Sequence, residues 1–369
     1  MKLLLFILSL SFLLVTKDKF TSDSIIKHEV EILHPGISSV DKVHKTLYQN
    51  LGREGQQDQF FMEVETVVCG DSKCKIDIIK IYWDKFGFFQ KIELPEGVNL
   101  EKGEGKHFDD HDYTKLQGIL TNSENSLKEI YKEEVVGLET TEGVDAVSGA
   151  TILVNTDDYV SGAVWTCYTL WHWAHGDIKD IIRNITGDAL TQEEIISFLR
   201  DTSIELKVFA VEQCIRNSFF DAEVSEIILN QVKIADYQLN KLLLKYISSA
   251  DDSQYCASMD KLLKVGNSQA DLFIIKELLN TSNSNAMSII ENTLTNKPIE
   301  NYPLFNQLVS VLEKKKIMSP YIQERLLNYL NNDNLLISRR AYWFLKQCDL
   351  TEGQIEKLDV FYKMNSGRM

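Results

Sequence analysis

The sequence predicts an α+β domain followed by an all-α domain, and three observations lead there. As far as about residue 100, β-branched runs are punctuated by Pro35-Gly36, Gly70-Asp71 and Pro95-Glu96-Gly97. From Asp157 the apolar residues recur at three- and four-residue steps, and after Gly187 no strand-like segment remains. The 369 residues, 44% hydrophobic and 25% charged, suffice for two globular domains. Against 39 basic residues stand 54 acidic ones, a net charge of −15. Such a surface repels phosphate backbones, and no basic stripe offsets it, so nucleic-acid binding and polybasic docking to lipid are ruled down. Six cysteines are too few for a disulfide-built scaffold.

At the N-terminus Lys2 precedes an apolar run from Leu3 to Val15, broken only by Ser9 and Ser11 and closed by Lys17, Asp18 and Lys19. As a helix it would span about 20 Å, short of the ~30 Å bilayer core. Residues 1–21 therefore read as a secretory signal or a short N-terminal anchor, and the chain is expected to be exported to a periplasmic or other extracytoplasmic space. Residues 22–186 form the expected α+β domain. Within it, Val64, Val67 and Val68 precede Gly70-Asp71-Ser72-Lys73, and Ile76, Ile78, Ile79 and Ile81 follow, a hairpin pattern. Cys69 and Cys74 flank that turn and are candidates for a disulfide, with two free thiols as the competing reading. Cys167, Cys214, Cys256 and Cys348 sit in apolar helical patterns and are expected to be inert thiols.

His107-Phe108-Asp109-Asp110-His111-Asp112 offers metal ligands, but helix capping explains every acid: Asp109 as N-cap, Asp112 three residues on, then Tyr113, Leu116, Ile119 and Leu120 as an apolar face. A second helix is expected through Val160, Ala163, Val164, Cys167, Leu170, Trp171 and Ala174, ending at Gly176. Opposite that stripe Trp165, Tyr168, His172 and His175 form an aromatic line able to cover a flat cofactor. Trp171 and Trp173, off the line, favour a helix buried on all sides instead. His172 and His175 have a spacing seen in zinc sites, without a cysteine or carboxylate partner nearby.

Residues 190–369 are expected to be helical throughout, with polar breaks at Ser248–Ser253, Thr281–Asn285 and Asn331–Asn334. Phe198-Leu199-Arg200-Asp201 leads to Ile204, Leu206 and Ala210 much as Tyr329-Leu330-Asn331-Asn332 leads to Leu335, Ile337 and Ala341. Tyr246-Ile247, Asp251-Asp252 and Ala257 form a looser third instance. A period of about 40–47 residues resembles a HEAT-like α-solenoid, in which a small alanine permits close packing; an irregular helical bundle is the alternative. Such a domain offers an extended surface for a protein partner.

The stretch with chemical content is Val144-Asp145-Ala146-Val147-Ser148-Gly149-Ala150-Thr151. Small residues leave backbone N–H groups open to phosphate oxygens, and Gly149 permits close backbone approach. The octapeptide resembles the flavinylation motif of the FMN-binding domain family, which includes peripheral subunits of the sodium-translocating NADH:quinone reductase and of Rnf complexes. Asp145, Ser148, Gly149, Ala150 and Thr151 match its pattern. The resemblance implies FMN carried as a phosphoester on Thr151, attached by a separate flavin transferase, with Asp145, Ser148, Gly149 and Ala150 shaping the loop. It also implies export and an electron-carrier function between exported or membrane redox partners, with no substrate chemistry by the polypeptide itself. Trp165 and His172 would then lie against the flavin. The chain departs from the family at Leu153-Val154, where a hydroxyl pair is usual, and lacks its glycine-rich upstream segment. The alternative is a non-redox exported interaction protein, with a vestigial flavin fold and a partner-binding helical repeat.

Overall fold

Five strands, β1 (Ile25–Ile32), β2 (Val43–Asn50), β3 (Gln59–Glu65), β4 (Ile78–Asp84) and β5 (Phe89–Glu93), pair in chain order as one antiparallel sheet in the computed structural model. The structure describes residues 25–52, 58–67, 76–135, 155–232, 234–265, 268–296 and 299–368. Strict alternation fixes the sheet's inner face. Phe60, Met62 and Val64 of β3 and Ile79, Ile81 and Trp83 of β4 are buried, as are Ile32 and Leu47 of the neighbouring strands. On the outer face Tyr48, Phe61 and Tyr82 stack across three strands, with the Lys27, Lys80 and Lys91 ammonium groups over their rings.

The β3–β4 hairpin keeps its register from Gln59 opposite Asp84 to Glu65 opposite Ile78, and Thr66 and Asp77 extend it by two hydrogen bonds. Cys69 and Cys74, in 68–75, lie outside the described residues, as do residues 1–24 and the 136–154 stretch that carries Asp145, Ser148, Gly149, Ala150 and Thr151.

A short ribbon, β6 (Glu101–Lys102) with β7 (Lys106–His107), leads to helix α1 (Asp110–Thr121). Asp109 caps α1: its carboxylate accepts from Asp112 N, and the Asp112 carboxylate accepts from Asp109 N. Helices α2 (Val164–His175) and α3 (Ile178–Asp188) follow in this unit. Together α1 and α2 cover the apolar face of the sheet. The α3 helix is latched to the β4–β5 turn, where buried Arg183 donates to Phe86 O and Thr186 to Lys85 O. Gly87, at φ +74°, is required in that turn, because a Cβ there would lie 2.8 Å from Lys179 O.

The chain divides into two compact units, between Asp188 and Ala189. The second holds α4 (Gln192–Leu199), α5 (Ile204–Arg216), α6 (Ala222–Gln231), α7 (Tyr237–Ser249), α8 (Asp252–Val265), α9 (Ser268–Glu277), α10 (Asn283–Asn296), α11 (Tyr302–Lys315), α12 (Pro320–Asn328), α13 (Leu335–Leu345) and α14 (Glu352–Asn365). The architecture is a small antiparallel sheet with helices, then helices alone: α+β followed by all-α, as the sequence predicts. Side-chain caps start many of these helices, including Thr191, Ser203, Asp221, Asp236, Ser319 and Asn334. Their apolar faces share one core.

The three alanines singled out by spacing differ in burial. Ala210 and Ala341 are fully buried, but Ala257 of α8 is exposed, so no close packing rests on it. The neighbouring Tyr255 and Met259 supply the buried face of that helix instead.

Candidate functional site

Among the described residues the polar chemistry of the first unit converges on α2. Its sequence, VWTCYTLWHWAH, has no polar face, and every residue from Val164 to Ala174 is buried. Trp165, Tyr168 and His172 of the aromatic line are therefore core on all sides, and His175 at its end is half-buried. Polar tips inside such a core need partners, and the surrounding elements provide several. Trp171 Nε1 donates to Asn122 O at 2.9 Å and Trp83 Nε1 to Ala174 O at 2.8 Å. His175 Nε2 lies 2.7 Å from Leu120 O. Gly176 ends the helix: its N–H makes the last bond to His172 O, its ψ of −152° then leaves helical geometry, and a Cβ there would sit 2.7 Å from that oxygen.

His34 enters from the turn after β1. Its Nδ1 accepts from Gly36 N at 3.2 Å, so Nε2 carries the proton and donates to Thr169 O at 3.0 Å. The ring packs tilted against Trp173 at 4.3 Å and meets His172 edge-on at 6.0 Å. Burial pushes His34 down to about 4; the Lys45 ammonium works the same way, while the Thr169 carbonyl and Glu65 oppose it. His172 is pushed down to about 3, first by burial and then by His34, against a backbone hydrogen bond at Leu127. Both rings are neutral near pH 7. Beside them Lys45 pairs with Glu65 at 2.8 Å and lies over the Trp173 ring.

Among the described residues, Tyr168 Oη, His172 Nε2 and Trp173 Nε1 of α2 are buried and find no hydrogen-bond partner. The Tyr168 and His172 rings touch at 4.4 Å, and Trp165 packs edge-on against Tyr168 at 6.1 Å. Gly36 stands in the same place, where an added Cβ would meet His34 Cε1 at 3.0 Å and Tyr168 Cε1 at 3.4 Å. An unpaired buried donor or acceptor costs about 1–3 kcal/mol, so this group can receive a polar ligand edge or water.

The acidic cluster before α1 is a cap. Asp109, His111 and Asp112 place ligand atoms within 4.8 Å of one another, yet Asp112 already accepts from Lys102 Nζ as well as from Asp109 N. Its carboxyl is held below the ordinary range by these bonds despite desolvation. Of the cysteines described, Cys167 and Cys214 are pushed up to about 12 by burial, which leaves them protonated and unreactive.

The sequence pointed to Trp165 and His172, and the structure brings them together through Tyr168. It did not point to His34, whose partner Thr169 lies 135 residues away. The Pro35-Gly36 turn was the only local signal there. Among the described residues no helix is long and apolar enough to cross a membrane. The chain matches no protein-family model, and no curated protein or solved structure matches it.

Proposed function

We propose that the protein is an exported electron carrier with FMN held covalently through a phosphoester on Thr151. The observation that carries this reading is the run Asp145 to Thr151, with its acid, hydroxyl and small-residue pattern, behind an N-terminus of signal-peptide character. The α2 cluster is chemically suited to the group. An isoalloxazine presents one polar edge of carbonyls and ring nitrogens, and Tyr168 Oη and His172 Nε2 are buried polar atoms without partners. Gly36 lets the chain pass close to His34 and Tyr168, where a Cβ would crowd both rings. In this reading Tyr168 and His172 hold the polar edge, Trp165 supplies an aromatic wall, and neutral His172 offers a hydrogen bond without a charge. When bound, FMN supplies reversible uptake of electrons; the polypeptide orients it and keeps water away. A flavin transferase would attach the group, and an exported or membrane protein would exchange electrons with it.

The test is the intact mass of denatured protein produced with a flavin transferase. The expected result is a gain equal to FMN less water, lost in Thr151→Ala. An unmodified wild-type chain under those conditions would refute the carrier.

A second reading, a non-redox protein whose helical half binds a partner, is favoured by the burial of Trp165 and His172, at 6% and 8% exposed. It is also supported by the helical unit, where contacts run to neighbours one and two along the chain (α4 with α5, α5 with α7, α8 with α10, α9 with α11, α11 with α13). Stacking of that kind suits a HEAT-like solenoid.

A further inference from the structure

A groove of about 210 Å³ lies between α7 and α9. Its wall is an aromatic pair on the surface, Tyr237 at 60% and Phe273 at 38% exposure, with ring centroids 5.2 Å apart. Leu244 forms part of its lining and is itself buried. Apolar cavities of about 150 Å³ accept a benzene ring, so the space suits one aromatic or branched side chain.

The polar groups at the groove are unequal in sign. Lys241 and Lys276 line it, are exposed, and form no ion pair among the described residues. Glu277 is the opposing charge, and Asn280 Nδ2 donates to its carboxylate at 3.2 Å. In a chain of net charge −15, this is a local excess of positive charge beside apolar surface. Asn240 adds a directional group. Its Nδ2 donates to Ala235 O at 2.8 Å, which fixes the amide orientation and leaves Oδ1 buried without a donor.

We propose that this groove binds an extended acidic peptide segment of a protein partner. One aromatic or branched side chain of the segment packs against Tyr237 and Phe273. Its flanking carboxylates lie on Lys241 and Lys276, and a backbone N–H donates to Asn240 Oδ1. The inference gives chemistry to the partner of the helical half and does not depend on flavin attachment. The mass experiment above and the binding experiment below therefore fail separately.

The test uses the full chain and acetyl-Asp-Phe-Asp-Glu-amide carrying 4-fluorophenylalanine, followed by ¹⁹F line width and shift. Two controls replace the acids with lysines or the ring with alanine. The acidic aromatic peptide is expected to bind, and both controls to bind at least about tenfold more weakly. The double variant K241E/K276E should weaken it about tenfold and Asn240→Leu several-fold, with binding falling as salt rises. Reversal of two exposed lysines elsewhere, K314E/K346E, should leave the titration unchanged. Equal binding of the lysine peptide, an unaltered titration in K241E/K276E, or no binding at about 10 mM peptide would overturn the proposal.

Discussion

Acidification from pH 7 to pH 5 should remove about 4 kcal/mol from the stability of the sheet-bearing unit. The source is the buried pair His34 and His172, held at about 4 and about 3 when folded against 6.5 for an unperturbed imidazole. Both folded values lie below the unfolded one, so the unfolded chain takes up protons first. Stability is whole above pH 6.5 and is lost as pH falls toward 4 and then 3. At pH 5 each ring is nearly all charged when unfolded and nearly all neutral when folded, a difference of about 2 kcal/mol apiece. Against a total of about 5–15 kcal/mol for a domain, this is a large fraction. Urea denaturation followed by tryptophan fluorescence measures it directly. Four of the five tryptophans, Trp83, Trp165, Trp171 and Trp173, belong to this unit, and only Trp343 to the other. His172→Phe removes one titrating ring and one unpaired nitrogen, and should keep only about half of the pH loss. If wild-type curves at pH 7 and pH 5 coincide, or if His172→Phe loses as much as wild type, the account of the buried pair is wrong.

Gly176→Ala places a methyl 2.7 Å from His172 O and should cost about 1–3 kcal/mol on the same fluorescence curves. Arg340→Met removes the two 2.7 Å bonds to Glu313 and the bond to Asn306, and should destabilise the helical unit by about 1–3 kcal/mol, read as a fall of several degrees in the thermal midpoint of helical circular dichroism, with Arg340→Lys intermediate. Arg340 holds the Glu313 carboxyl below its ordinary range, so this stabilisation is present at neutral pH and fades as acid titrates the folded carboxylate. Cys69 and Cys74 flank the turn sequence Gly70-Asp71-Ser72-Lys73, the spacing of a disulfide across a hairpin. Thiol titration of denatured, unreduced protein should then find four thiols of six; six would refute the disulfide.

Local physics made much of this molecule legible. The cap at Asp109 and Asp112, the end of α2 at Gly176 and the polar breaks between helices depend on residues a few positions apart, and the sequence displays them. The β3–β4 strands follow from their alternation. The His34 site was not legible, because its hydrogen bond to Thr169 and its contact with Trp173 join distant segments. Periodicity also misleads where side chains are amphipathic. Trp, Tyr and His on α2 mimic a polar face, yet backbone carbonyls of Asn122 and Leu120 satisfy Trp171 and His175 inside the core. Ala257 shows the reverse error, a small residue on an exposed face that fitted a repeat by spacing alone.

The order of elements in the first unit also sets a timetable for synthesis. Each strand pairs with its predecessor, so the sheet can assemble as soon as Glu93 has been made. The part of its inner face that α1 does not cover, with Trp83 waiting for Ala174 O, stays open until α2 arrives some eighty residues later. At roughly 5–20 residues per second, that is about 4–16 s of exposed apolar surface. Docking of α2 is the event that closes that surface.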